Sequence, residues 1–312
     1  MFSAAVPPCC WQWPGRCSVL DVRLRLAEID RRSSPPSLRS TTTTTPAISL
    51  PAITSSAVVE NSSASPCLSK AGAPVGPPDA APVLEFESVG KSFGPAVALH
   101  NVSCRVESGR FVTLFGPNGA GKTTLIRIAA TLARPSNGRT RLFGQDVRTA
   151  DAGLRRRIGV VSHQSFLYGE LTALENLVFF ARLFDRNDAE ARARAAAQTV
   201  GLSDRLDQQV RSFSRGLEQR CAIARALVHD PDVLMLDEPY SGLDPVATKN
   251  LTSVLSRAHG AGKTVIMTSH DLARGAELAQ DVGILARGRL RFWGNPPADI
   301  ETAFAEAIGG SA

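Results

Sequence analysis

From residue 84 onward, short apolar runs alternate with longer stretches in which apolar residues recur every three or four positions. The short runs are typical of strands and lie at residues 84–89, 97–106, 111–115, 158–162, 233–237, 264–269 and 281–293. The longer stretches at 172–184 and 188–200 have helical periodicity. Strands that alternate with helices predict an α/β fold with a mainly parallel sheet covered on both faces. The helices between residues 170 and 230 are predicted to form an insert beside that sheet.

A glycine-rich loop, GPNGAGKTT, follows the apolar run at 111–115 and precedes a helical pattern. It fits G-x-x-x-x-G-K-[ST], in which the glycines let successive N–H groups surround an anion at a helix N-terminus. We expect Lys122 to reach the β- and γ-phosphates and the Thr123 hydroxyl to bind Mg²⁺. The predicted triphosphate-binding residues are Gly116, Pro117, Asn118, Gly119, Ala120, Gly121, Lys122, Thr123 and Thr124.

Two adjacent acids follow the apolar run VLML. Asp237 and Glu238 therefore lie at the carboxyl end of a predicted buried strand, the edge at which open α/β sheets bind their ligands. We expect Asp237 to hold Mg²⁺, as the corresponding acid does in phosphate-loop NTPases, and Glu238 to act as a general base on the attacking water.

Further polar groups follow the other predicted strands. Gln164 comes after the strand at 158–162, where its amide is placed to contact Mg²⁺ and the water, and His270 ends the strand at 264–269, placed to contact the γ-phosphate. Ser214 is a suitable helix cap that presents N–H donors. The segment 241–244 follows closely on the two acids. The order and spacing of these groups, rather than any one of them, predict a catalytic site.

The charge, the apolar runs and the cysteine content of the chain argue against several classes of function. The net charge of +6 is modest and no dense basic block is present, so charge does not indicate nucleic-acid binding. No run of 18 apolar residues occurs, so a membrane role requires a separate partner chain. The six cysteines contain no C-x-x-C pair, which favours reduced thiols over a zinc or haem site.

The first 83 residues have a different composition from the rest of the chain. They contain 12 of the 20 prolines and 19 serines and threonines. A segment of this composition can bury too little apolar surface to offset the conformational entropy lost on folding. This predicts a disordered tail that is dispensable for function. The segment 19–29 is the exception, with the pattern of a transient amphipathic element. Three acids, Asp21, Glu28 and Asp30, argue against a transit peptide.

Residues 84–295 resemble the ATP-binding subunit of ABC transporters. Phe93 lies where that family places an aromatic residue against adenine. The other matches are Walker A at 116–124, the Q-loop at Gln164, the signature at 213–217, Walker B and the catalytic acid at Asp237 and Glu238, the D-loop at 241–244 and the switch histidine at His270. The signature reads FSRGL where the family commonly has LSGGQ, so Arg215 replaces a glycine and Leu217 a glutamine, while Ser214 and Gly216 remain.

The resemblance implies a phosphate-loop NTPase fold of ABC type, with an antiparallel β part and an inserted helical subdomain. It implies a nucleotide-binding domain at 84–295, flanked by the tail at 1–83 and a short extension at 296–312. Catalysis would involve Lys122, Gln164, Glu238 and His270. Mg²⁺ would be bound by Thr123, Gln164 and Asp237. ATP would also be contacted by Ser214, Gly216 and Asp244. The subunit would lie at the cytoplasmic face of the inner membrane, bound to transmembrane permease subunits.

The family's mechanism further implies a head-to-tail homodimer in which each phosphate loop faces the other chain's signature. Segments 163–184 and 213–227 are most similar to the haem exporter ATPase of bacterial cytochrome c maturation. This resemblance implies that haem is handled by the membrane subunits and does not contact this chain. ATPases of drug- and polysaccharide-type exporters share similar segments and remain the alternative. A tandem-domain translation factor would need two such domains, and a DNA-repair ATPase would need a long coiled coil between Lys122 and Ser214.

Overall fold

A computed structural model describes residues 82–309 of the chain. The predicted tail at 1–83 lies outside the described residues except for its last two positions. The strands of the described part are β1 Pro82–Phe93, β2 Ala96–Glu107, β3 Phe111–Phe115, β4 Asn137–Leu142, β5 Gln145–Asp146, β6 Ile158–Val161, β7 Val233–Leu236, β8 Thr264–Ser269, β9 Asp281–Ala286 and β10 Arg289–Gly294. Its helices are α1 Lys122–Ala129, α2 Ala152–Arg156, α3 Ala173–Leu183, α4 Ala189–Thr199, α5 Arg215–Leu227, α6 Pro245–Gly260, α7 Leu272–Ala276 and α8 Ile300–Gly309.

The central sheet has six strands in the order β10-β9-β3-β8-β7-β6. All neighbouring pairs from β9 to β6 are parallel, and only β10 runs antiparallel at the edge. Every residue of β3, β6, β7 and β8 is buried, because helices cover both faces of the sheet. This explains why these strands read as continuous apolar runs, and the predicted mainly parallel sheet is confirmed.

A second, antiparallel sheet has the strand order β2-β1-β4-β5. The predicted runs at 84–89 and 97–106 form its long hairpin, with β2 at the edge, and β4 and β5 belong to segments in which no strand was predicted. The run at 281–293, predicted as one strand, is a hairpin of β9 and β10. Positive φ angles of 49° at Arg287 and 74° at Gly288 reverse the chain there, and an apolar pattern alone does not reveal such a two-residue turn.

Three helices, α3, α4 and α5, form the insert that the sequence predicts between residues 170 and 230. They pack around one apolar cluster that continues into the central sheet through Val161, Leu236 and Val265. The first of them begins at a capping box, in which Thr172 accepts from the Glu175 N–H and the Glu175 side chain accepts from the Thr172 N–H. The helix α5, which begins in the predicted signature, is therefore attached to the same apolar core as β7, the strand that precedes the two acids.

His229 follows α5 and is almost completely buried beneath the sheet edge. Its ring stacks on Phe184 with 3.9 Å between centroids, and its Nε2 lies 3.0 Å from the Ile158 carbonyl oxygen. Burial lowers the pKa of His229 from 6.5 to about 4, the hydrogen bond to Ile158 opposes that shift, and the nearby Arg225 and Arg186 add to it. The folded protein thus holds this histidine neutral at pH 7.

We expect the protein to lose stability on acidification through His229. The unfolded chain binds the proton near pH 6.5 and the folded chain only near pH 4, so the contribution is complete above pH 6.5 and is lost as pH falls to 4. The loss is on the order of 3 kcal/mol. Urea unfolding at pH 7 and 4.5 measures it. His229→Gln should lose less stability than the parent between these values, whereas the exposed control His163→Gln should match the parent. An equal loss in His229→Gln would contradict this assignment.

Candidate nucleotide site

The glycine-rich loop connects the end of β3 to the start of α1. Gly116 has a φ of 156°, and a Cβ there would lie 2.3 Å from the Leu285 carbonyl oxygen. Gly121 caps α1 with a φ of 104°, and a Cβ there would lie 2.7 Å from the Ala98 carbonyl oxygen. Both positions therefore require glycine for conformation and for space. The loop is held against two other segments, with the first N–H groups of α1 at its end, which is the arrangement that suits a phosphate group.

Lys122 is buried, with its side chain folded back across the loop. Its Nζ donates to the Gly116 carbonyl oxygen at 2.7 Å and lies 3.3 Å from Glu238 Oε1. The ammonium group is thus placed between the phosphate loop and the second of the two acids. This places one positive charge where a phosphate chain bound to the loop would end.

Asp237 is buried at the carboxyl end of β7, and one of its carboxylate oxygens accepts hydrogen bonds from two hydroxyl groups. Thr123 Oγ1 donates to Asp237 Oδ1 at 3.0 Å, and Thr268 Oγ1 donates to the same atom at 2.8 Å. A hydroxyl and a carboxylate oxygen in contact beside a phosphate loop are the hard oxygen ligands that Mg²⁺ prefers. The residues present therefore fit a bound Mg²⁺.

Glu238 has a strained backbone and a carboxylate held from both sides. Its φ is 51°, in the left-handed region that non-glycine residues rarely adopt, and its N–H donates to Thr268 Oγ1 at 2.9 Å. Oε1 faces Lys122, while Oε2 lies 2.7 Å from His270 Nδ1. Strain of this kind persists only where the surroundings determine the conformation, and here three side chains do so.

An open cavity of about 480 Å³ joins these groups. Its walls include the phosphate loop at Gly116, Pro117 and Asn118 together with both Glu238 and His270. The remaining lining residues are His163, Ser241 and Phe304. The structure therefore brings the phosphate loop, Glu238 and His270, which the resemblance assigns to three separate motifs, to one opening at the carboxyl edge of the parallel sheet.

Four other predicted site residues lie on separate elements or face solvent. The Gln164 side chain is exposed, and the backbone carbonyl oxygen of Gln164 accepts a hydrogen bond from Ser162 Oγ. Ser214 caps α5 by accepting from the Leu217 N–H at 3.4 Å, Gly216 lies in the first turn of that helix, and Asp244 caps α6 by accepting from the Ala247 N–H at 2.7 Å. These cap positions explain why serine and aspartate occur at the starts of the two helices.

Phe93 ends β1 and is 56% exposed, with Lys91 Nζ 4.8 Å above its ring. Stacking of a base on an aromatic ring contributes about 1–3 kcal/mol. We therefore expect Phe93→Ala to raise the KM for ATP by about tenfold with little change in kcat, measured by steady-state ATPase assays. Val97→Ala removes another exposed apolar side chain from the same hairpin and is the control. Equal KM values for the two variants would exclude adenine stacking at Phe93.

Sequence reasoning missed Thr268, which donates to Asp237 and accepts from the Glu238 N–H. It also missed Phe304 on α8, which lines the cavity although it lies 34 residues beyond His270 in the chain. Thr268 had one available signal, its position as a polar residue at the carboxyl end of the strand, two places before the predicted histidine. Nothing in the pattern of α8 indicated that the helix reaches the phosphate loop.

Comparison with known proteins identifies the family. The ABC transporter family profile matches residues 99–241. The Nod factor export ATP-binding protein I of Burkholderia orbicola is 37% identical over 221 residues, which cover 70% of this chain and 73% of that protein. This chain belongs to the ABC transporter family. The ABC transporter ATP-binding protein NatA of Bacillus subtilis is 36% identical over 200 residues, covering 63% of this chain and 81% of that relative.

Other similar proteins agree on this family but differ in transport direction. The phosphonates import ATP-binding protein PhnC of Anaeromyxobacter dehalogenans is 36% identical over 240 residues, which cover 70% of this chain and 48%, about half, of that relative. The dimeric post-hydrolysis state of an ATP-binding cassette bound to ADP and Pi superposes with a TM-score of 0.64 at 27% identity, covering 69% of this chain and all of that one. This ABC chain is therefore an ATP-binding subunit whose ATP hydrolysis is coupled to transport. Within residues 82–309, no helix is both long and apolar enough to cross a membrane.

Proposed function

We propose that this ABC subunit binds MgATP at the loop 116–124 and hydrolyses it with Glu238 as general base. The observation that supports this most strongly is the placement of the Glu238 carboxylate between Lys122 and His270, next to the contact between Asp237 and Thr123. A base, a cation for the phosphates and two magnesium ligands thus meet at one cavity.

Each group has a distinct task in the proposed reaction. Mg²⁺ bound by Thr123 and Asp237 would neutralise phosphate charge. Lys122 holds the terminal phosphates and stabilises the charge that develops on them. Glu238 accepts the proton of the attacking water, and His270, through the contact of its Nδ1 with Glu238, fixes the orientation of that carboxylate. Gln164 supplies a further polar contact from the loop after β6.

The site is proposed to be completed by a second copy of the chain. The donors at Ser214 and Gly216 begin α5, an element separate from the phosphate loop. A two-fold dimer in head-to-tail arrangement would bring them onto the outer face of the other chain's γ-phosphate, with Asp244 nearby. ATP binding closes this dimer and hydrolysis opens it. The dimeric cassette with ADP and Pi that superposes on this chain supports the proposal.

The dimer is tested by size-exclusion chromatography with light scattering. We expect the Glu238→Gln variant to be a monomer without nucleotide and a dimer with ATP. Ser214→Ala combined with Glu238→Gln should weaken the dimer, whereas Ser203→Ala, at an exposed position in the same subdomain, should leave it unchanged. A Glu238→Gln chain that stays monomeric at millimolar ATP would contradict the two-site arrangement.

We further propose that hydrolysis drives export through separate permease subunits at the cytoplasmic face of the inner membrane. Haem for cytochrome c maturation is the first candidate cargo, supported by the resemblance of segments 163–184 and 213–227. Relatives named for Nod factor export and for daunorubicin and doxorubicin resistance support a drug- or polysaccharide-type cargo instead. In either case the cargo would be handled by the permease, and neither haem nor nucleic acid would bind this chain.

The cargo is tested by affinity purification of Glu238→Gln from native membranes in ATP. Recovery of haem-handling maturation subunits would support haem export. Recovery of a different permease would exclude haem and retain the ATPase. The parent purified with ADP serves as the control for complexes that do not depend on the closed dimer.

Removal of residues 1–80 is expected to leave ATP turnover unchanged. The groups that the reaction is proposed to use all lie between Phe93 and His270, and the described domain has its own apolar core. Steady-state ATPase assays of the truncated and full chains check this prediction. A decrease of more than about twofold in kcat/KM, which corresponds to roughly 0.4 kcal/mol, would show that the segment contributes to the domain.

A further inference from the structure

Arg215, the residue that departs from the family's signature glycine, lies against the D-loop of its own chain. A Cβ built on Gly242 would be 2.8 Å from Arg215 Cζ and 2.9 Å from its Nε. The guanidinium group thus occupies the space that a side chain on residue 242 would need, beside a Gly242 backbone with a φ of 71°. Only glycine at 242 combines that conformation with room for the arginine.

A second contact connects the same face of α5 to the same turn. Gln219 lies four residues after Arg215, one helical turn further along, and its Nε2 donates to the Pro239 carbonyl oxygen at 3.2 Å. The two side chains therefore contact both ends of the segment that leaves β7. Within that segment the Ser241 N–H donates to the Glu238 carbonyl oxygen at 3.1 Å, which closes a tight turn.

The turn between Glu238 and Gly242 carries the strained backbone of the proposed general base. On the sheet side, Glu238 is held by Thr268, Lys122 and His270. On the other side, the turn is covered by Arg215 and Gln219 of α5. A residue with a φ of 51° keeps its conformation only while such contacts determine it, so loss of one side allows the carboxylate to move.

We propose that Arg215 is a positioning residue for Glu238 of its own chain. The inference rests on the proposed two-site dimer, because Ser214 and Gly216 on either side of Arg215 are the groups that would meet the ATP of the second copy. ATP bound at one site then fixes the position of Arg215, and Arg215 fixes the turn that carries the base of the other site. The arginine thereby couples the two sites of the dimer.

The competing role for Arg215 is direct contact with the γ-phosphate held by the second copy. The two roles differ in which chain must carry the arginine. A cis role requires it on the chain whose Glu238 reacts, whereas a phosphate contact requires it on the opposite chain. The observed contact with Gly242 favours the cis role.

Heterodimers of two differently tagged chains separate these roles. One chain carries Glu238→Gln, so that a single active site remains, formed by the intact chain's Glu238 and the variant chain's signature. Arg215→Ala is then placed either on the intact chain or on the Glu238→Gln chain. Arg211→Ala, four residues earlier and paired with Glu170 at 3.1 Å, is the matched control in each position.

We expect Arg215→Ala on the chain with intact Glu238 to lower kcat by at least about tenfold with an unchanged KM for ATP, because a misplacement on the order of 1 Å can cost a hundredfold in rate. The same change on the Glu238→Gln chain should have less than about a threefold effect. The reverse pattern, or an effect no larger than that of Arg211→Ala, would overturn the proposal.

The experiment distinguishes an error in the proposed dimer from an error in the role of Arg215. If Glu238→Gln does not dimerise with ATP, the two-site function itself is wrong. If the heterodimer without other changes stops after one round because ATP stays bound at the variant site, the variants are compared by the rate of phosphate release in that single round. If that heterodimer retains turnover and Arg215→Ala has no effect in cis, the dimer stands and only the role of Arg215 is rejected.

Discussion

Glu238→Gln is expected to lower kcat for ATP hydrolysis by about 10²–10⁴-fold, the range that a positioned general base contributes. Glutamine keeps the size of the side chain but cannot accept the proton of the attacking water. The measurement is phosphate release at saturating ATP. Glu301→Gln removes an exposed carboxylate from α8 and should retain the parental rate.

The same variant should still bind ATP. The phosphate loop and Lys122 are unchanged, and removal of the carboxylate takes a negative charge away from a cavity that receives a polyanion. Equilibrium binding of a fluorescent ATP analogue should therefore give a Kd equal to or below that of the parent. Parental turnover in Glu238→Gln would show that another group acts as the base.

Lys122→Ala is expected to lose both binding and hydrolysis, with kcat/KM lowered by at least about a hundredfold, as for removal of one charge-stabilising donor. The substitution also removes the cation that lies 3.3 Å from Glu238 Oε1. Unlike Glu238→Gln, this variant should fail to retain nucleotide in the binding assay.

Lys249→Ala is the matched control, because it removes an exposed lysine from α6 without touching the cavity. Lys122→Arg is informative as well. A guanidinium group keeps the charge but is larger than the space in which the ammonium contacts the Gly116 carbonyl oxygen at 2.7 Å, so we expect binding to remain impaired. Tight nucleotide binding by Lys122→Ala would remove this lysine from the site.

Strands on the central sheet were predictable because burial on both faces demands unbroken apolar runs. The residues 111–115 were predicted and are β3 without change, and 264–269 are β8. The turn at Arg287 and Gly288 was missed because residues 281–293 were interpreted as one strand, although Gly288 inside that run is a possible turn signal. The short strands β4 and β5 were missed because they are mostly polar: the buried residues of β4 are Thr140 and Leu142, of which only Leu142 is apolar, and β5 is only two residues long.

Some residues of the candidate site could likewise be predicted from the sequence, and others could not. The phosphate loop and the two acids could be recognised because their chemistry depends on residue type at fixed local spacing. Thr268 could not be assigned, since its contact with Asp237 joins residues 31 positions apart. The same holds for Phe304, which reaches the cavity only through the packing of α8 on the sheet.

The sequence by itself determined the α/β class, the phosphate loop, the adjacent acids and the family resemblance, because each of these depends on periodicity or on residues close together in the chain. Only the tertiary structure decided that Lys122, Glu238 and His270 meet at one cavity, that Glu238 is held in a strained conformation, and that Arg215 lies on Gly242. These are long-range contacts, and their geometry depends on how helices and strands pack rather than on which residues are neighbours in sequence.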